Sequence, residues 1–255
     1  MTIRLIFLIL TLSFLLVIIP MALGQAEEAL VGYWPMDEGS GVDIKDASGN
    51  GHNGELMEEA QWVDGKFGKA LDFGPGGGYI VVPDDDQLDL SEAVTIMGWF
   101  KLNEPIAGQR RLLSKNDSIF LLFDFGAADS LDFLVKPDNA FVESATVFEV
   151  GEWYHFAGTY DGDALRMYIN GVMEGETPGV PPMAVSDLDL WIGADDWQAG
   201  ITTFPGVLDE IRIYSVALDE NEIKQAMNGP VAVEMSGDKI PAKWSIIKTK
   251  YIPLY

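Results

Sequence analysis

The chain contains no cysteine. That absence excludes disulfide staples, thiol catalysis, Cys-based zinc sites and a cysteine-linked lipid anchor. An exported form must therefore be held by its core, alone or with a metal ion. Histidine is nearly missing too, with His52 and His155 the only two. There is no Gly-x-Ser-x-Gly elbow, no His-Glu-x-x-His, no phosphate-binding glycine loop and no dinucleotide fingerprint after a strand, so the usual signatures of nucleophilic, zinc and nucleotide chemistry are lacking. Positive charge is scarce, with Lys+Arg 16 against Asp+Glu 40 and a net charge of −24. Nucleic acid and anionic membrane surfaces are bound through clustered Lys and Arg, so neither is expected as a partner. Most of the carboxylates read simply as solubility.

Only one apolar run is long, and it is N-terminal. Arg4 supplies a short positive region, Leu5–Ile19 an apolar stretch, and Ala22-Leu23-Gly24 a small-x-small triplet. This pattern is that of a secretory signal peptide over residues 1–24, cleaved after Gly24. The alternative is an uncleaved anchor helix over Ile3–Leu23, which almost reaches spanning length and would be the chain's only route to a membrane. Either way a secreted or cell-surface location is expected. A mature chain of about 230 residues buries enough apolar surface to fold without disulfides.

From Leu30 onward, short alternating runs are punctuated by Gly, Asp, Asn and Pro. Glu152–Val172 is the clearest example: Trp153–Tyr160 and Ala164–Asn170 alternate, joined by Asp161-Gly162 and closed by Asn170-Gly171. Period-two alternation marks half-buried strands, and Asp-Gly and Asn-Gly mark tight hairpins. Val94–Phe100 is almost continuously apolar, as for a central strand covered on both faces. Further strands are expected at Leu30–Trp34, Gly54–Met57, Ala70–Phe73, Tyr79–Val82, Arg111–Ser114, Ile119–Phe125, Leu131–Val135, Leu188–Ile192 and Gly206–Tyr214. A dozen such strands with little helix predict an all-β, two-sheet antiparallel sandwich. One short C-terminal helix is expected, started by a capping box of Asp219 and Glu222 and stopped by Gly229-Pro230. Residues 230–255 change character and read as a mobile tail.

Three acidic segments carry candidate chemistry. In Asp46-Ala47-Ser48-Gly49-Asn50-Gly51, oxygen-bearing side chains alternate and are followed by glycine, as in the first half of a calcium loop. The match ends at Met57, where such a loop needs Glu, so any hard cation must be completed from afar; Asp37 and Asp209 are the candidates. The competing reading is an Asx-rich turn. Asp84-Asp85-Asp86 with Asp89 is a second cluster; packed carboxylates repel unless a cation or solvent screens them, so it reads as a solvated loop with calcium as the alternative. Asp195-Asp196-Trp197 places an aromatic ring beside two acceptors, the combination that meets the C–H face and hydroxyls of a polyhydroxylated ligand. His155 sits mid-strand and reads as structural. Asp209 and Glu210 are adjacent, so in a regular strand they point to opposite faces and cannot act as a catalytic pair.

The ordered set of segments resembles the LamG-like jelly roll of the concanavalin A-like lectin/glucanase superfamily. It runs through Leu30–Gly39, Asp46–Gly54, Gly68–Phe73, Tyr79–Pro83, Val94–Phe100, Glu152–Tyr160, Leu165–Val172 and Phe204–Tyr214. The resemblance implies a jelly-roll domain over 29–229, with six to seven strands in each sheet. It also implies a structural calcium ion held by Asp37, Asp46, Asn50 and Asp209 with carbonyls of Gly51–Asn53. The catalytic carboxylates of the glucanase branch have no counterpart here, so a non-enzymatic module is expected. It would bind a glycan or an extracellular protein, with Asp195, Asp196 and Trp197 as ligand-binding residues. The alternatives are a protein–protein adhesion or scaffold module, for which Trp197 would be dispensable, and a divergent glycoside hydrolase, which would require two carboxylates facing each other across a groove.

Overall fold

Alternation in the sequence becomes sixteen strands in a computed structural model that describes residues 28–74, 76–127, 129–197 and 199–229. The expected signal segment 1–24 and the tail 230–255 lie outside the described residues. Among the described residues, no helix is long and apolar enough to cross a membrane.

Two antiparallel sheets face one another. The first runs β14 (Val172–Thr177), β13 (Leu165–Ile169), β12 (Trp153–Tyr160), β7 (Val94–Leu102), β16 (Gly206–Tyr214), β5 (Lys69–Asp72) and β4 (Gln61–Asp64), with β1 (Leu30–Trp34) also paired to β16. The second runs β11 (Ala140–Glu143), β10 (Leu131–Val135), β9 (Ile119–Phe123), β8 (Arg110–Lys115), β15 (Leu190–Ile192), β6 (Tyr79–Val82), β3 (Gly54–Met57) and β2 (Asp43–Ile44). Each sheet thus has eight strands rather than six to seven. The additional ones, β2, β4, β11 and β14, are short or carry largely exposed side chains, which removes the alternation that reveals a strand.

The core lies between the sheets. Val94, Ile96, Phe100 and Leu102 of β7 enter it, while Met97 on the opposite face joins a smaller cluster with Tyr168, Tyr214, Leu218 and Ile223. Strand β7 is therefore covered on both sides, as its unbroken apolar run requires. Phe100, Phe123, Phe148 and Phe204 meet edge-on or stacked at 5.2–6.2 Å, the geometry aromatic quadrupoles favour. The sheets approach closely at Gly158, where an added Cβ would lie 2.6 Å from Cγ of Phe133.

The hairpin read from Asn170-Gly171 is present. Both residues have positive φ, at 50° and 74°, as a two-residue type I′ turn demands. Helix α2 (Glu220–Ala226) has both halves of its capping box, with Asp219 accepting from the Asn221 and Glu222 N–H groups and Glu222 reaching back to the Asp219 N–H. Its Ile223 packs on the outer face of the first sheet. A second helix, α1 (Ala199–Thr202), was not expected; it is one turn long and offers no capping pattern.

Candidate ligand-binding edge and buried carboxylates

The four residues expected to share one cation fall into two pairs. Asp46 organises its own loop: Oδ1 accepts from the Tyr33 and Ser48 N–H groups at 3.0 and 2.8 Å, and Oδ2 from Ser48 Oγ, Gly51 N and His52 N at 2.8–3.0 Å. Burial alone would raise its pKa, but hydrogen bonds from Ser48, Tyr33 and His52 outweigh it and hold the carboxyl below its usual range. Asn50 turns its amide N–H groups toward the Leu30 and Val31 carbonyls at 2.9 and 2.8 Å. The loop is thus a hydrogen-bonded Asx turn pinned to β1.

Asp37 and Asp209 converge elsewhere, on the β4–β5 turn. Asp37 Oδ1 accepts from the Lys69 N–H at 2.8 Å, and Asp209 Oδ2 from the Phe67 N–H at 3.0 Å. Both approaches need small residues in the turn: a Cβ on Gly68 would lie 2.1 Å from Asp37 Oδ1, and one on Gly65 2.6 Å from Asp209 Oδ2. Burial, with further pushes from Glu210 and Asp37, raises the Asp209 pKa to about 8 against the lowering effect of the Phe67 and Lys66 N–H groups.

Asp209 and Glu210 do not point to opposite faces, as a regular strand would dictate. Strand β16 carries a bulge between Asp209 and Arg212, where Glu210 adopts a left-handed φ of 58°. The bulge lies where β16 changes neighbour: Val207 and Leu208 pair with β5, whereas Ile211 and Arg212 pair with Trp34 and Tyr33 of β1. The extra residue puts Glu210 on the outer face with Asp209 and Arg212. There Glu210 accepts from Tyr33 Oη at 2.8 Å and from the Arg212 guanidinium, which also donates to the Ala226 carbonyl at 2.9 Å. His155 is fully buried on the same face, edge-on to Trp99 at 5.3 Å, with no hydrogen-bond partner at either ring nitrogen. Burial, assisted by Arg212, lowers its pKa to about 3 and keeps the ring neutral.

Among the described residues, one group of three carboxylates has oxygens close enough to share a metal ion, Asp84, Asp89 and Asp187, all within 4.8 Å of one another. The fold already places a cation among them. The buried Lys115 ammonium ion-pairs with Asp84, reaches Asp89 at 3.1 Å and donates to the Leu188 carbonyl at 2.8 Å.

The segment Asp195–Trp197 follows β15 and divides by role. Asp195 is buried, pairing with Arg111 Nε at 3.1 Å and accepting from Thr202 Oγ1 at 3.0 Å, so it anchors the connection to β8 and α1. Asp196 is exposed and accepts from the Asn116 amide. Trp197 is 80% exposed and Ile201 65% exposed. Next to this connection, Trp191 of β15 stacks on Tyr79 of β6 at 4.6 Å and 19°, both partly exposed. Cross-strand register puts Trp191 opposite Ser114 and Val81 on the outer face of the second sheet. The sequence singled out Trp197 but not Trp191, whose alternation in a three-residue strand is too short to show a face.

A family described as the concanavalin A-like lectin/glucanases superfamily matches residues 74–224. No curated protein matches the chain in sequence. Among solved structures, domain 4 of AbnA, a GH43 extracellular arabinanase from Geobacillus stearothermophilus in complex with arabinotriose, superposes with a TM-score of 0.63 at 21% identity, covering 77% of this chain and 97% of that one. The binding domain of Paraclostridial Mosquitocidal Protein 1 gives 0.63 at 19% identity over 79% of this chain and 52% of its own. The binding domain of Botulinum neurotoxin DC, in complex with rat synaptotagmin II, gives 0.60 at 14% over 80% and 52%. The chain thus spans nearly all of the first structure and about half of the two toxin domains. At these identities the likeness is one of fold.

Proposed function

Because this chain belongs to the concanavalin A-like lectin/glucanases superfamily, we propose that it is an exported, non-enzymatic recognition module that binds a saccharide at the Asp195–Trp197 edge. The observation that carries this reading is the indole of Trp197, 80% exposed on a connection whose base is fixed by the Asp195–Arg111 ion pair. An exposed indole on a fixed backbone offers a flat apolar face at little entropic cost, and neighbouring acceptors such as Asp196 orient hydroxyls. The saccharide in the arabinanase-domain complex and the signal-like N-terminus both favour it. The carboxylates that share a face, Asp209 and Glu210, are fully buried and out of a polysaccharide's reach, which argues against hydrolysis. Glycan-array binding of the full chain tests the reading. Trp197→Ala should abolish the signal while leaving the unfolding midpoint unchanged. Release of reducing sugar from a polysaccharide panel would instead make it a hydrolase.

Calcium enters this reading more narrowly than the sequence implies. Asp46 and Asn50 are committed to backbone groups and fit a turn better than an ion. Asp37 and Asp209 face one turn, with Asp209 Oδ1 buried and lacking a hydrogen-bond partner, so these two are the residues that would hold a structural ion. Millimolar calcium should then raise the unfolding midpoint by a few degrees, and Asp209→Asn should remove the shift. An unchanged midpoint in the parent chain removes calcium from the account.

A protein ligand is the second reading. It is favoured by a second exposed apolar side chain, Ile201 on α1, and by the synaptotagmin complex of one structural neighbour. Specific capture of a protein by the chain, without binding to any glycan and undiminished by Trp197→Ala, would establish it.

A further inference from the structure

A buried lysine away from the candidate edge has the surroundings of a reacting group. Lys115 is the last residue of β8, pairs with Leu190 of β15 and Ile119 of β9, and has a side chain only 2% exposed. The cavity along it is walled by Leu88, Leu90, Ile96, Ile119 and Leu190, an apolar lining. Its Nζ meets Oδ1 of Asp84 directly, stands 3.1 Å from Oδ1 of Asp89 and donates to the Leu188 carbonyl at 2.8 Å. Oxygens of Asp84 and Asp89 lie within 4.8 Å of each other. Asp84 is held through its own backbone too, its N–H donating to the Asp189 carboxylate at 3.0 Å. One amine thus touches two carboxyl groups that also neighbour each other, and the saccharide reading uses none of the three.

We propose that Lys115 and Asp84 condense into an intramolecular isopeptide bond, with Asp89 carrying the protons. A bond forms between Lys115 Nζ and Asp84 Cγ, and one Cγ–O bond of Asp84 breaks. The two protons that the ammonium sheds pass through Asp89 to the departing oxygen, which leaves as water. Asp89 ends as it began, and no oxidant, reductant or other co-reactant is needed. Groups fixed side by side react with effective molarities of about 10⁵–10⁸ M, and a carboxyl within hydrogen-bond reach speeds the proton transfers. The apolar wall along Lys115 keeps away the water that would reverse the step. Asp84 follows β6 after Pro83, so the bond would reach across β15, a strand of only three residues between β6 and β8. It would tie positions 31 residues apart, as a disulfide does, in a chain that has no cysteine.

The test is the intact mass of the purified full chain after denaturation, followed by proteolysis and fragment sequencing. The mass should lie one water below that of the sequence, with a branched peptide joining Lys115 to Asp84. Lys115→Arg, which keeps the charge, should show the full mass, run more slowly in a denaturing gel and unfold about 10 °C lower. Asp89→Ala should leave most of the chain unjoined although Lys115 and Asp84 are both present. Full mass in the parent chain, with Lys115 open to amine labelling after denaturation, would overturn the proposal and leave an ion pair. So would a lost water that maps to Asp64-Gly65 or Asp161-Gly162 and returns in mild alkali, the mark of a succinimide. The parent's mass decides the matter even where a variant fails to fold.

Discussion

On the outer face of the first sheet, Glu210, Arg212 and Tyr33 are buried together and each charge faces an opposite one. At the connection after β15, Asp196 and Trp197 face solvent, and the charges that raise the Asp196 pKa are those of other carboxylates. Similar residue types serve opposite ends in these two places. In the first, low dielectric makes an uncompensated charge so costly that partners are fixed and the cluster acts as part of the fold. In the second, water screens the repulsion, so acids without an opposite charge are tolerated at the surface. The same contrast separates Asp195, buried and paired to Arg111, from its neighbour Asp196. One residue holds the loop and the next one presents itself.

That contrast can be broken from the buried side first. Arg212→Met would leave Glu210 buried without its guanidinium, and destabilisation of about 3–5 kcal/mol is expected in urea unfolding. A loss below about 1 kcal/mol would mean that water reaches Glu210 and the cluster is not closed. Asp46→Ala comes next. It removes five hydrogen bonds to a carboxylate, four from backbone N–H groups and one from Ser48 Oγ, and should cost about 3 kcal/mol. Because the Asp46 pKa is lowered in the fold, its contribution is present above the ordinary carboxylate pKa and fades as pH falls below it. The deficit of Asp46→Ala relative to the parent should therefore shrink in acid.

His155 sharpens the comparison through pH. Burial lowers its pKa from 6.5 to about 3, so below pH 6.5 the unfolded chain takes up a proton that the folded chain refuses. Stability from this group is full above about 6.5 and declines as pH falls toward about 3. His155→Phe, of similar shape and without titration, should flatten that part of the stability–pH curve; an identical slope in the variant would show that the ring protonates in place. The smallest effect belongs to the exposed edge. Trp197→Ala should change stability by less than about 0.5 kcal/mol, since the ring makes little contact to lose.

Much of the scaffold was legible because its cause is local. Strands β7, β12 and β16 announce themselves by apolar periodicity, the Asn170-Gly171 turn by a dipeptide, and α2 by a capping pair only three residues apart. Strands β4 and β14 were missed because edge positions expose both faces and blur the alternation. The bulge at Glu210 was missed for a different reason: it is imposed by the change of neighbour from β5 to β1, and a glutamate carries no signal for left-handed backbone. Candidate sites were less legible still. Oxygen spacing in Asp46–Gly54 is shared by ion loops and Asx turns, and only the direction of the N–H groups, set by the β1 contact, favours the turn. Likewise Asp195 and Asp196 are alike in sequence, and the position of Arg111 on β8, distant in the chain, decides which one is buried.

Under the proposed function, recognition occurs at the exposed edge and leaves the fold untouched. Glycan-array binding of the full chain and its Trp197→Ala variant, at matched unfolding midpoints, tests it most directly. Retained folding with loss of the glycan signal is the predicted result. An undiminished signal in the variant would place recognition elsewhere on the molecule and contradict the account.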